Sequence, residues 1–582
     1  MKKILFAIVL STLCSLVAAQ GNDVAAPKWT AKAQKSIVAL IAYDRNNEML
    51  HEGTATYISN DGVAVTDYAT LRNAYSAVVV DADGRKSNVV RILGADETYG
   101  VVKFLTENRK STPLPLAATT DGATGTTAYA LPYYKGKRTT CPAAQIEKKD
   151  AVEGTYAYYT LNAAFAQTCN GAPLLSSRGE LLGIVQSPFG GKSYATDARF
   201  AQSLSIAAIQ SKSATLALDN IHMPKGLPDS KEESLVYLYF KSRSADNDEY
   251  IDLLNLFVAT YPDVAEGYLR RATPLIDLQQ FDNADRDLQT YLRLASDKAA
   301  AHASVADVIY TKLRYQPTPE YPAWTYDIAV SHIDQSISAT QAHLAAATTD
   351  SLRNAIDANL LKYQLQKALI LTAKQDDSGA IAIYDDINNG PHRSPATLYA
   401  SSMAHQARGD SLSLCIQLLD SAIALFPTPK PQEAANYYLR RAELLAACNR
   451  NRESVADYNQ FCYLNNNNVT PAFYYERFAV EKQGRMYQQA LDDINLAIDG
   501  APREPFYRLE KSGLLLIVNQ LDECIATARE CLALDPNNAD ALRIMGYAQL
   551  QQGDRTAARS TLQRAVDLGD EGAREIIDTY LK

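Results

Sequence analysis

Small residues recur at a fixed interval of 34 positions near the C-terminus: Ala456, Ala490, Cys524 and Ala558. A second series, Ala497, Cys531 and Ala565, keeps the same interval, and Pro502 and Pro536 close two of the copies. An interval of this length holds two helices and their turns, and a small side chain at one place in each copy lets neighbouring helices approach closely. One copy cannot bury its own apolar face, so the pattern dictates a stack in which each helix pair covers the next.

With Gly546 at the glycine position of the last first helix, this pattern resembles the tetratricopeptide repeat (TPR). Less regular copies precede it: Tyr268 to Leu294, with Ala284 and Leu288 on its packed face, and Leu398 to Pro427, with Cys415 and Ala422 at the small positions. Pro317, Pro319 and Pro322 are expected to interrupt the stack, which totals about eight or nine helix pairs. The resemblance implies a concave groove, formed by the first helices, that binds a protein or peptide partner. In the 34-residue register, Arg441, Tyr475, Lys482, Arg543 and Tyr547 fall on that groove as candidate binding residues, with Tyr438, Phe506 and Leu509 among them.

Upstream the texture changes. From Ser36 to about Ile209, short apolar runs such as Ser36 to Ile41 and Ala77 to Val80 alternate with turn signals including Asp61-Gly62 and Asp83-Gly84, the signature of β-strands. Three segments there carry a second resemblance. Gly53 to Gly62 reads G-T-A-T-Y-I-S-N-D-G, Val65 to Leu71 reads V-T-D-Y-A-T-L, and Thr168 to Leu175 reads T-C-N-G-A-P-L-L before Gly179-Glu180-Leu181-Leu182-Gly183-Ile184. They resemble, in order, the hairpin, histidine strand and nucleophile loop of trypsin-like serine proteases of the HtrA (Deg) type. The resemblance implies a double β-barrel and assigns the triad positions to Ala69, to Tyr99 or Gly100, and to Asn170. None of these can act as base, orienter or nucleophile, because a carboxamide cannot be activated to attack a carbonyl as a hydroxyl can. His51 precedes the hairpin, and Ser176 and Ser177 fall in the turn after the loop.

Residues 1–20 have the anatomy of a signal peptide: Lys2 and Lys3, an apolar run from Ile4, and small residues Val17-Ala18-Ala19 before Gln20. Leu13 before Cys14 is too large for a lipoprotein signal. This predicts a periplasmic or secreted protein with no transmembrane segment in the mature chain. The net charge of −9, with no Lys/Arg cluster, argues against nucleic acid. No metal or cofactor is implied, since no C-x-x-C pair, H-E-x-x-H helix or Gly-rich phosphate loop occurs. Cys141 and Cys169 are the one cysteine pair of the β region and so the candidates for a disulfide there. Cys415, Cys524 and Cys531 are expected to be small packing residues.

The expected organisation is multidomain: an all-β trypsin-like double barrel at 21–215, a linker at 216–230 signalled by Pro224, Gly226 and Pro228, and an all-α TPR solenoid at 231–582. The expected function is that of an exported, non-catalytic protein-binding scaffold. The alternatives are an active serine endopeptidase that recognises substrates or partners through its repeats, and a purely structural envelope protein.

Overall fold

Two six-stranded antiparallel barrels open the chain in a computed structural model that describes residues 22–136, 140–152 and 154–582. The proposed signal peptide, with Cys14, lies outside the described residues. The chain divides into two compact units, one ending at Ser296 and one comprising Asp297–Lys582.

In the first unit β1 (Asn22–Ala25) precedes the barrels. Strands β2 (Ile37–Tyr43), β3 (Met49–Tyr57), β4 (Val63–Asp67), β5 (Ser76–Val80), β6 (Lys86–Asp96) and β7 (Val101–Thr106) close in the order β2-β3-β4-β7-β6-β5. Strands β8 (Thr127–Ala130), β9 (Thr140–Val152), β10 (Tyr156–Leu161), β11 (Pro173–Leu175), β12 (Leu181–Val185) and β13 (Tyr194–Asp197) form the second barrel in the order β9-β10-β13-β12-β11-β8, closed by β8 on β9, while β1 pairs with the other edge of β9. The turns follow from local chemistry. Asp81 accepts the backbone N–H groups of Asp83 and Arg85 (both 2.9 Å), and Gly84 takes φ +84° to close the β5–β6 hairpin. Cys141 and Cys169 are both fully buried but pack in different hydrophobic clusters.

Residues 216–230 include the end of a helix, Lys212–Asp219, and then run against the first barrel. Ile92 N–H donates to the Pro224 carbonyl and Gly226 N–H to the Ile92 carbonyl (both 2.8 Å). Helices Lys231–Ser244 and Asn247–Thr260 follow, and Leu238, Leu254 and Phe257 share one buried core with Leu40, Ile92 and Phe104 of the barrel. Arg91 grips Asp252 with both terminal guanidinium nitrogens, Nη1 and Nη2 (2.5 and 2.7 Å). A further helix pair, Ala265–Asp277 and Phe281–Leu294, completes the unit.

The second unit is helical from Lys298 to Tyr580. Helix Lys298–Tyr315 ends before the three prolines and the next begins at Tyr326, so the prolines occupy the connection. Lys312 holds that connection by donating to the carbonyls of Gln316, Pro317 and Pro319. The fourth residue of each second helix is a fully buried small side chain: Ala380, Cys415, Ser454, Ala490, Cys524 and Ala558, as is Ala284 in the first unit.

Ala456 is not in this series. It is exposed, and Ser454 takes the small position, donating its hydroxyl to the Ala442 carbonyl at 2.7 Å. The cause is the turn between Leu464 and Pro471, where Asn466 and Asn467 adopt left-handed backbone (φ 55° and 58°) and two extra residues lengthen that copy relative to the next. Ala497, Cys531 and Ala565 are fully buried.

Candidate functional site

The strand β4 delivers a single helical turn, Tyr68–Leu71, whose first residues are set by Asp67: its carboxylate accepts Thr70 N–H (3.3 Å) and the Thr70 hydroxyl. Burial pushes the Asp67 carboxyl up to about 6, against the two Thr70 bonds that pull it down. Ala69 stands on the exposed side of this turn and offers only a methyl group. Tyr68 N–H donates to the Gly100 carbonyl (2.9 Å), which sets Gly100 beside the same turn, while the Tyr99 ring packs edge-on against Phe200 at 5.1 Å. Gly100 has φ +63°, and a Cβ built on it would lie 2.7 Å from Gln186 Nε2. Gln186 is itself held: it accepts the Tyr158 hydroxyl (2.9 Å) and donates to the Tyr99 carbonyl and to Thr196 Oγ1 (2.7 Å).

Asn170 follows a short 3-10 turn, Gln167–Cys169. The next residue, Gly171, has φ +75°, and a Cβ there would fall 2.3 Å from the Thr54 carbonyl oxygen and 2.5 Å from Thr66 Oγ1. Only glycine lets this loop press onto β3 and β4. Thr54 N–H completes the contact by donating to the Asn170 carbonyl at 3.2 Å. The Asn170 side chain donates from Nδ2 to Ser187 Oγ (2.9 Å), and its Oδ1 is buried without a hydrogen-bond partner. In a serine protease the nucleophile's own backbone N–H helps hold the oxyanion. Here Asn170 N–H donates instead to the Gln167 carbonyl (2.9 Å).

Ser176, Ser177, His51 and His222 lie elsewhere. Ser176 is buried in the following turn, where its Oγ accepts Arg178 and Glu180 N–H groups, and Ser177 uses its carbonyl to accept Trp29 Nε1–H. His51, on β3, pairs with Ala42 of β2, and His222 stacks on Tyr75. Ser187 and Gln186, which stand against Asn170 and Gly100, were not anticipated from the sequence. They lie just beyond β12, outside the three segments that carry the motifs.

In the repeats the candidate binding residues separate into two faces. Tyr475 and Arg543 are the fifth residues of first helices Pro471–Gln483 and Ala539–Gln551, Tyr547 is the ninth of the latter and Lys482 the twelfth of the former. Fifth, ninth and twelfth positions share one face of a helix. Arg441, shifted by the longer turn, is the seventh residue of Ala435–Ala447 and points away from that face. Its guanidinium clasps Asp457 of its own second helix (Nε and Nη2, both 2.7 Å) and reaches Asp420 of the preceding one (2.6 Å). The same clasp recurs as Arg477–Asp493 and, in the first unit, Arg271–Asp287. Arg441 is thus part of the frame that joins the two helices of a repeat.

The residues on the shared face form two groups. Tyr475 meets Phe506 at 4.9 Å and Tyr507 at 5.7 Å between ring centroids, and Lys482 spans to Glu510 of the next first helix at 2.9 Å. Arg543 and Tyr547 line a cavity of about 380 Å³ with Leu516, Ile544, Ile576 and Tyr580. Arg543 pairs with Asp540 and, at 3.4 Å, with Asp570. Tyr438 is buried, with the Arg441 guanidinium 5.4 Å over its ring. Among the described residues, no group of three or more His, Cys, Asp and Glu side chains could hold a metal ion, and no helix is long and apolar enough to cross a membrane.

Residues 53–184 match the family described as the trypsin-like peptidase domain. Among solved structures, the chain is similar to a serine endoprotease from Yersinia pestis, at 20% identity over 30% of this chain and 62% of that one, with a TM-score of 0.26. It is also similar to the HtrA-type protease AlgW with tripeptide, at 18% identity over 30% of this chain and 60% of that one, again with a TM-score of 0.26. The chain spans about three fifths of the length of the solved structures it matches. It carries a trypsin-like peptidase domain, built as a double β-barrel, followed by an all-helical repeat array.

Proposed function

We propose that the chain is an exported, non-catalytic protein-binding scaffold: a trypsin-like domain without proteolytic chemistry, joined to TPR-type repeats that hold a protein or peptide partner. Asn170 carries this reading. At the position where the fold presents its nucleophile, it offers a carboxamide bonded to Ser187 and a backbone N–H turned to the Gln167 carbonyl. Nucleophile and oxyanion donor are then both missing from the place where acyl transfer needs them. Ala69 and Gly100 supply no base or orienter, and Gln186 takes the space beside Gly100.

Partner binding is assigned to the first-helix face of Tyr475, Lys482, Arg543 and Tyr547, with Phe506 contributing exposed aromatic surface. Its two cations already face carboxylates, so the partner supplies acidic groups that compete for them while the aromatic rings bury its apolar side chains. Export to the periplasm or beyond rests on residues 1–20. The test is treatment of the purified full-length protein with a serine-directed fluorophosphonate and with casein. No labelling and no hydrolysis above background are expected, whereas stoichiometric labelling of any serine in residues 21–215 overturns the proposal.

A further inference from the structure

The first unit holds a cavity of about 880 Å³ that neither the triad positions nor the repeat groove uses. One wall is the segment that straps the first barrel, with Tyr75 stacked on His222 at 4.5 Å; the other is formed by helices Lys231–Ser244 and Asn247–Thr260. Two aromatic side chains of this cavity remain open to solvent, Tyr75 at 41% and Phe240 at 48% exposure, while Tyr237, one turn before Phe240 and also lining the cavity, is buried.

The charges around the cavity do not balance. Five carboxylates line it: Asp219, Asp246, Asp248, Glu249 and Asp252. Arg91 neutralises Asp252, and Lys241 neutralises Glu249 at 2.8 Å. Lys225 is the remaining cation; its ammonium donates to the Ile221 and Met223 carbonyls (2.5 and 2.7 Å) and acts on Glu249 and Asp219 only through longer-range charge attraction. Asp219, Asp246 and Asp248 enter no ion pair among the described residues. Open aromatic faces beside unpaired carboxylates favour a group that is cationic at one end and apolar along its length, as an arginine or lysine side chain is. The volume accommodates several side chains.

We propose that this cavity binds a basic peptide segment of a partner protein, with an arginine or lysine side chain lying against Tyr75 and Phe240 and its charge answered by Asp219 and Asp248. This site is separate from the repeat groove and takes the opposite charge. The test uses the full-length protein and fluorescence anisotropy of a labelled nonapeptide that alternates arginine with leucine, beside its counterpart that alternates aspartate with leucine. The basic peptide is expected to saturate, with affinity falling as NaCl rises from about 50 mM to about 500 mM, and the acidic one is expected not to bind.

Asp219→Asn with Asp248→Asn, both exposed positions, is expected to weaken the basic peptide about tenfold. Tyr75→Ala with Phe240→Ala is expected to do the same at high salt, where the aromatic contact remains. A control with the same charge change on exposed residues of the other unit, Glu523→Gln with Asp578→Asn, is expected to leave affinity unchanged. No saturable binding, equal binding of the acidic peptide, or equal loss in the Glu523/Asp578 control overturns the proposal; the last would mean that only the net charge of −9 attracts the peptide. Failure here leaves the groove reading standing, because the groove variants are scored separately.

Discussion

Gln186 fills the space that a side chain at Gly100 would need, since a Cβ there would stand 2.7 Å from Gln186 Nε2. On the proposed reading, with Gly100 taken as the orienter position, the triad therefore cannot be restored one residue at a time. Asn170→Ser alone is expected to give no fluorophosphonate labelling, because a serine without an imidazole stays a weak nucleophile. Adding Ala69→His and Gly100→Asp forces an L side chain into φ +63° against Gln186, at a cost of about 1 to 3 kcal/mol. The triple variant is expected to remain unlabelled and to unfold at lower denaturant concentration. Turnover by the single variant would mean that another base serves the site.

The Arg441–Asp457 clasp yields a different expectation for stability. Asp457 is 5% exposed, so removing the guanidinium leaves a buried carboxylate unpaired. Arg441→Glu is expected to destabilise the protein by about 3 to 5 kcal/mol in chemical denaturation, and Arg477→Glu similarly through Asp493. A loss within about 0.5 kcal/mol would return Arg441 to the class of free surface residues.

What the sequence made legible was whatever a close approach demands. Gly171, Ala490, Cys524 and Ala558 stand where a larger side chain would meet backbone or a neighbouring helix, and such positions leave a visible mark in spacing. The double barrel and the helical array followed from those marks and from the change of period. The two extra residues near Asn466 and Asn467 left none, because a turn tolerates insertion without altering either helix, and Arg441 was carried onto the wrong face as a result. The docking of residues 216–230 was equally hidden: Pro224 and Gly226 have the composition of a loose connection, whereas their hydrogen bonds to Ile92 and the Arg91 guanidinium on the Lys225 carbonyl fix them. The contacts of Asn170 with Ser187 and of Gly100 with Gln186 join segments far apart in the chain, beyond the reach of a local motif.

The register itself is testable. Ser454→Leu is expected to destabilise the array by about 1 to 3 kcal/mol through overpacking, as are Ala490→Leu and Ala558→Leu, since all three positions are fully buried between helices. Ala456→Leu is expected to change stability by less than about 0.5 kcal/mol because it faces solvent. Thermal melts of the four variants separate the two registers, and the reverse order for Ser454 and Ala456 would restore an unbroken interval of 34 residues.

Glu481 gives the repeats a pH dependence. Its Oε2 is buried without a partner, and burial, with Asp493 nearby and only Arg477 opposing, pushes the carboxyl up to about 8. A carboxyl whose folded value exceeds its unfolded one, about 4.3, favours folding while protonated and ceases to do so as pH rises. Its contribution is therefore full below about pH 4 and is lost progressively through about pH 8. Unfolding free energy should fall across that window, and Glu481→Gln, which stays neutral, should remove that part of the slope. An unchanged slope in the variant would assign the dependence to other buried carboxyls such as Asp67.

The proposed partner-binding face makes the last prediction. Lys482→Glu with Arg543→Glu reverses charge beside the Tyr475–Phe506 rings and at the cavity of Tyr547, while Arg441 is left intact to keep the frame. Charge-assisted contacts in a partly desolvated groove are commonly worth about 1.5 to 3 kcal/mol each, so recovery of a partner from an envelope fraction should fall by at least about tenfold. Reversal also sets a new carboxylate against Glu510 at the first position and against Asp540 and Asp570 at the second. The Lys482–Glu510 and Arg543–Asp540 pairings lost there are partly exposed and should cost no more than about 1 kcal/mol each, whereas Asp570, whose side chain is 7% exposed, loses its cation and adds to the fall at the second position. Tyr475→Ala with Tyr547→Ala, which leaves every charge in place, should reduce recovery as well. Capture that survives both double variants would move partner recognition off this face of the repeats.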